Sequence, residues 1–206
     1  MIRRLTVAAV LLLTAAPVQA HRVDVLLQAA RVAVSPTGMI VHIGVTPGIS
    51  VAPEIIGQLD RDADGRISPV EAETYGRRVL ADVSATLDAA PLSLTLRRVD
   101  APPTAEIRDG EGTVRIEATA DFANRAAGRH RIILSNAHRP DLSVYLANAL
   151  LPDDAAIRIL RQTRDPRQQI FTLDYEVEQT VNTRVAWLLA AALLTLLAYF
   201  RGRPSL

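Results

Sequence analysis

Four acids within a single short stretch are spaced to hold a hard cation. The chain reads Asp60-Arg61-Asp62-Ala63-Asp64-Gly65-Arg66-Ile67-Ser68-Pro69-Val70-Glu71. Calcium takes about six to eight oxygen ligands at roughly 2.3–2.6 Å. Asp60, Asp62 and Asp64 place three carboxylates on alternate residues of a tight coil. Gly65 lets the backbone reverse at positive φ, which a Cβ would resist. The carbonyl of Arg66 can then turn inward, and Ser68 can ligate directly or hold a ligating water. Glu71 can reach back with both oxygens, so the expected ligand set is Asp60, Asp62, Asp64, Arg66, Ser68 and Glu71. Without a cation these acids repel one another. A bidentate Glu in a large cage disfavours magnesium, which wants a smaller octahedral shell.

The flanking sequence supplies helices to position this loop. Pro53 suits a first helical turn, with Ile55, Ile56 and Leu59 on one side. After the loop, Ser68 is placed to N-cap, Pro69 to open the helix, and Glu71 to complete a capping box three residues on. Val70, Val79 and Leu80 are the expected apolar stripe of the second helix. A helix–loop–helix over 51–82 is therefore expected, inserted between two blocks of strands.

At every ligand position this loop resembles the EF-hand family. That resemblance covers roughly thirty residues with the helices, and it implies calcium as the cofactor. It also implies that Ile67 occupies the position where family members pair with a second hand. No second hand is found in the chain, since the acidic, glycine-containing stretch Asp109 to Glu117 has the wrong spacing. Paired hands make cooperative sensors. A lone hand reads as a structural clip or as one that pairs across a dimer; a decayed loop that keeps the fold without the ion is the bland alternative. Over most of the chain between its apolar ends, the sequence is also similar to a family of uncharacterised bacterial exported, membrane-anchored proteins with one EF-hand. That likeness rests on His21-Arg22-Val23-Asp24, Thr46-Pro47-Gly48, the loop, Asn136-Ala137-His138, Tyr145 and Asn148-Ala149-Leu150. It implies no established activity.

Outside the loop, period-two alternation dominates and marks half-buried strands. Val114, Ile116, Ala118, Ala120 and Phe122 alternate with polar residues, as do Leu92, Leu94 and Leu96, and Phe171, Leu173, Tyr175 and Val177. Further strands are expected over 23–34, 40–45, 83–87, 130–134, 144–150 and 157–162. Turn signals separate them at Pro36-Thr37-Gly38, Asp88 to Pro91, Asp109-Gly110, Arg139-Pro140-Asp141 and Asp165-Pro166. The expected fold is mainly β, an antiparallel β-sandwich with an inserted helix–loop–helix.

Both ends of the chain read as membrane-directed. Arg3 and Arg4, the apolar run Leu5 to Ala16, and Pro17-Val18-Gln19-Ala20 form a secretory signal pattern, residues 1–20. An uncleaved N-terminal anchor is the competing reading. Val185 to Phe200 carries no charge and, as a helix, spans roughly 24 Å against a hydrocarbon core of about 30 Å. Trp187 and Tyr199 suit its interfaces, and Arg201 and Arg203 place the tail 201–206 in the cytoplasm by the positive-inside rule. A buried C-terminal helix or a sorting tail competes with this single-pass span. The expectation is a domain over 21–183 held outside the cytoplasm on the inner membrane.

Charge and composition narrow the function classes. The chain has 23 Lys+Arg and 22 Asp+Glu. Arg3, Arg4, Arg184, Arg201 and Arg203 lie outside 21–183 and no acid does, which leaves 18 basic against 22 acidic residues, a net of −4. Such a domain offers no basic footprint for nucleic acid. The chain has no Cys, so thiolate catalysis, thiolate metal sites and disulfides are all excluded. No Gly-x-Ser-x-Gly elbow, phosphate-binding glycine loop or His-Glu-x-x-His helix occurs, and no catalytic residue is expected. The leading expectation is a non-enzymatic, membrane-tethered calcium protein whose fold or partner surface the ion sets, with a protein partner left open. Two alternatives stand beside it. A mature N-terminal His21 with His42, His130 or His138 would suit copper. An accessory subunit of an inner-membrane transport complex would use the anchor.

Overall fold

The computed structural model describes residues 24–123 and 126–178. The expected signal segment, His21, the apolar stretch 185–200 and the tail 201–206 lie outside the described residues. Among the described residues, no helix is long and apolar enough to cross a membrane.

Among the described residues, ten strands and three helices follow one another. They are β1 (Leu26–Ser35), β2 (Gly38–Pro47), α1 (Ala52–Leu59), α2 (Pro69–Ala81), β3 (Val83–Leu87), β4 (Ala90–Leu92), β5 (Thr95–Asp100), α3 (Thr104–Arg108), β6 (Val114–Asp121), β7 (Gly128–Asn136), β8 (Ser143–Ala149), β9 (Ile157–Arg164) and β10 (Ile170–Val177). They form two five-stranded sheets, β5-β6-β2-β1-β8 and β4-β3-β7-β10-β9. The chain is thus mainly β, as alternation implies, and one apolar core draws on both sheets. Val32, Val41, Ile43 and Ile116 enter it from the first sheet, and Leu87, Ile132, Phe171 and Leu173 from the second. This is consistent with the expected sandwich.

Alternation is carried out strand by strand. Along β1 the inward set is Leu26, Gln28, Ala30, Val32 and Val34; along β10 it is Phe171, Leu173, Tyr175 and Val177. Two-residue loops make the local hairpins. Pro36-Thr37 joins β1 to β2 in the register Ser35↔Gly38. Asp88 and Ala89, at φ 50° and 67°, join β3 to β4. Left-handed conformations at both loop positions match the twist of the flanking strands. Pro91 sits on β4, which pairs only with β3, so its missing N–H breaks no ladder.

Three expectations need correction. The sheets are not purely antiparallel, because β1 pairs in parallel with β8, Leu26 opposite Ser143 through Val32 opposite Ala149. The chain reaches β8 by leaving the second sheet after β7, so β8 arrives running alongside β1. The alternating Leu92, Leu94 and Leu96 do not share one strand. β4 ends at Leu92, β5 begins at Thr95, and the chain changes sheet between them. Val70 is not part of the buried stripe of α2. It is 73 % exposed, while Ala72, Tyr75, Gly76 and Val79 face inward.

The helix–loop–helix occupies the connection from β2 to β3. Ile55 and Leu59 of α1 and Tyr75 and Val79 of α2 are fully buried in the common core. α2 lies against β5, and Gly76 is the contact point. A Cβ there would collide with a methyl of Val99. The close approach of helix to strand therefore requires glycine.

Candidate metal centre

Local chemistry folds the loop between α1 and α2 into a ring around its own acids. α2 begins with Pro69 and is capped by Ser68, whose hydroxyl accepts from the Glu71 amide at 3.3 Å. The Glu71 side chain returns to the Ser68 amide at 2.9 Å, which closes the capping box. Across the ring, the Arg61 amide donates to Glu71 Oε1 at 2.7 Å. Both ends of the loop are thus tied to one carboxylate. The Asp60 carboxylate accepts from the amides of Asp64 (3.1 Å) and Gly65 (2.9 Å). Ala63 and Gly65 adopt φ 60° and 84°, the two left-handed positions that close the turn.

Three of the expected ligands converge. One carboxylate oxygen from each of Asp60, Asp62 and Glu71 lies within 4.8 Å of the others. Asp60 is buried and Glu71 is half-buried, while Asp62 faces solvent. The remaining three are placed differently. Asp64 turns Oδ1 to the Arg66 amide at 2.8 Å, and its own amide donates to Asp62 Oδ1 at 3.2 Å. The Ser68 hydroxyl donates to Glu71 Oε2 at 2.8 Å, so it is engaged in the cap. Arg66 enters the ring through its backbone, as its amide bond to Asp64 shows.

The electrostatics favour a cation. The Ser68 amide, the Ser68 hydroxyl and the Arg61 amide together hold the Glu71 carboxyl down at about 2, against an ordinary 4.5. Glu71 is therefore a full anion throughout the neutral and mildly acidic range. Two unit charges about 4 Å apart repel by about 1 kcal/mol even in water. Three carboxylates this close, with backbone amides already committed to them, form an oxygen-only, anionic cage. Hard divalent cations suit such donors and soft thiophilic ones do not.

Of the histidines considered for copper, His21 lies outside the described residues, and His42, His130 and His138 each lie beside a different acid. His42 on β2 lies 3.7 Å from Glu117. His130 on β7 meets Asp88 Oδ2 at 2.8 Å and the Ala126 carbonyl at 2.9 Å. His138 is buried after β7 with Nδ1 at 2.8 Å from Asp82 Oδ2. Among the described residues, the one convergent group of three or more His, Asp and Glu side chains is Asp60, Asp62 and Glu71.

The motif around Asn136, His138 and Tyr145 has a structural role. The His138 carbonyl accepts from Gln28 Nε2 (2.7 Å), Tyr145 Oη (2.7 Å) and Ser143 Oγ (3.0 Å). Asn136 accepts from the His138 amide at 3.0 Å and donates to Gln28 Oε1 at 2.9 Å. This buried network stitches β1 and β8 of one sheet to β7 of the other. Asn136, His138 and Tyr145 were among the residues of the resemblance; Ser143 and Gln28 were not, and Gln28 sets a polar side chain at an inward position of an apolar strand. Thr104, also overlooked, donates to the Gly65 carbonyl at 2.9 Å from 39 residues away, and nothing local marks it. Compared with protein-family models and with curated proteins, the chain matches no family model and no curated sequence.

Proposed function

We propose that the loop Asp60 to Glu71 is a single calcium site of the EF-hand kind. The chain is a non-enzymatic, extracytoplasmic protein tethered to the inner membrane by its C-terminal apolar stretch. The ion stabilises the fold or a partner-binding surface. What carries the reading is the convergence of Asp60, Asp62 and Glu71 within 4.8 Å, in a loop whose spacing suits calcium. The loop joins two helices that each bury one face in the core, so closing it around a cation acts on the whole domain. A ligand at about a hundred times its Kd that binds only the native state adds roughly 2.7 kcal/mol. That is a large part of a typical stability of about 5–15 kcal/mol. Extracellular sites of this kind bind at about 10⁻⁴–10⁻³ M.

Calorimetric titration of the full-length protein in detergent with calcium tests the site, alongside thermal melting. The expected result is one equivalent bound, a raised melting temperature, and loss of both effects in Asp60→Ala. No binding in the low-millimolar range overturns the calcium reading. Protease accessibility in intact spheroplasts tests the tethering, with the domain expected to be cleaved from outside.

A further inference from the structure

Between the two helices, the metal loop receives a hydrogen bond from a distant side chain at the Gly65 carbonyl. We propose that Thr104 is a positioning residue for calcium, fixing the peptide that leads into the Arg66 carbonyl; this rests on the calcium reading above.

The peptide joining Gly65 to Arg66 is gripped at both ends. Its N–H donates to Asp64 Oδ1 at 2.8 Å, a bond within the loop. Its carbonyl accepts from Thr104 Oγ1 at 2.9 Å, a bond from α3. With that plane fixed, the direction of the following Arg66 carbonyl depends on rotations at one residue alone. The next residue is fixed as well, because the Ile67 side chain packs against the hydrophobic core of the same chain. The expected ligand carbonyl thus lies between two anchors that both belong to the sandwich.

Thr104 is rigid enough for this role. It is 9 % exposed, and a buried hydroxyl needs an acceptor. It does not cap its own helix, since the position before the first turn is Pro103, which has no side-chain donor or acceptor. α3 itself is fixed by Ile107, fully buried in the core, and by a tight turn in which the amides of Glu111 and Gly112 both meet the Glu106 carbonyl. A Cβ at Gly112 would lie 2.7 Å from the Ile107 amide nitrogen, so this turn closes only with glycine. The anchor and the loop belong to one chain.

The test is calorimetric calcium titration of full-length wild type, Thr104→Val and Thr104→Ser in detergent, with metal-free melting of each. Valine keeps the shape and removes the hydroxyl; serine keeps the hydroxyl. Loss of one net hydrogen bond predicts a Kd raised about three- to ten-fold in Thr104→Val. Thr104→Ser should bind within about two-fold of wild type, where packing alone would weaken both variants. Wild-type Kd in Thr104→Val overturns the proposal and leaves the calcium reading standing, as does equal weakening in both variants. No binding by wild type overturns both. Should Thr104→Val fail to fold, exchange of the Thr104 hydroxyl proton in metal-free wild type decides: slowed exchange supports the anchor, and exchange at the rate of a free hydroxyl overturns it.

Discussion

Ser68 and Glu71 share one set of hydrogen bonds, and substitutions at either have separable consequences. Ser68→Ala removes the cap of α2, and such losses cost about 0.5–2 kcal/mol. Of the groups that hold the Glu71 pKa down, the Ser68 amide, the Ser68 hydroxyl and the Arg61 amide, it removes the hydroxyl and keeps both amides. In an NMR titration the Glu71 carboxyl should therefore move up from about 2 towards 4.5. Because the folded value is depressed, the stabilisation from Glu71 is present above 4.5 and is lost as pH falls towards 2. Asp62→Asn should act in two opposite directions. It relieves repulsion in the metal-free ring and removes a negative donor, so metal-free melting should rise while calcium affinity falls. The convergence of Asp60, Asp62 and Glu71 was readable from residue types because these acids and Gly65 are local in sequence. Ser68 was legible as a cap, but the placement of Asp64 on the Arg66 amide was not, since one oxygen can serve a backbone amide or a cation equally well.

At the scale of elements, the seat of α2 on β5 is the most constrained contact. Gly76→Ala drives a methyl into Val99, and overpacking of this kind costs about 1–3 kcal/mol. Chemical denaturation should show that loss, and Gly76→Ala paired with Val99→Ala should recover part of it. Gly57 is a useful control, because a Cβ there meets nothing within 4 Å. Helix interiors favour Ala over Gly by about 1 kcal/mol, so Gly57→Ala should be neutral or stabilising. The helices were legible from Pro53, Pro69 and the capping residues. The break between β4 and β5 was not, because Leu92, Leu94 and Leu96 keep perfect alternation while the chain crosses from one sheet to the other. α3 was missed for a related reason. A five-residue helix is too short to show a periodicity, and Ile107 is its one fully buried apolar anchor.

The two sheets are joined by the polar network around His138 as well as by apolar contact. Asn136→Ala leaves the buried His138 amide and Gln28 Oε1 without partners, and unsatisfied buried groups cost about 1–3 kcal/mol each. Denaturant unfolding should show a loss larger than that of an exposed substitution such as Arg77→Ala. On the outer face of the second sheet, Arg131 holds the Asp174 carboxyl below its ordinary 3.8, with Nε 2.6 Å from Oδ1. That stabilisation is present above pH 3.8 and fades as the pH falls further, so Arg131→Ala should narrow its deficit against wild type in strong acid. Class and strand content followed from alternation, but the parallel pairing of β1 with β8 did not, since partners from opposite ends of the described chain carry no local sign of each other. That pairing sets an order of assembly. The β1–β2 hairpin can close as soon as residue 47 is available, yet its other flank stays an open ladder of amides and carbonyls until the segment Ser143–Ala149 arrives. Long-range pairings of this kind form late and slowly. For most of its synthesis, therefore, the nascent chain carries a strand with one sticky edge, and any protein that shelters it has to remain bound until the eighth strand is made.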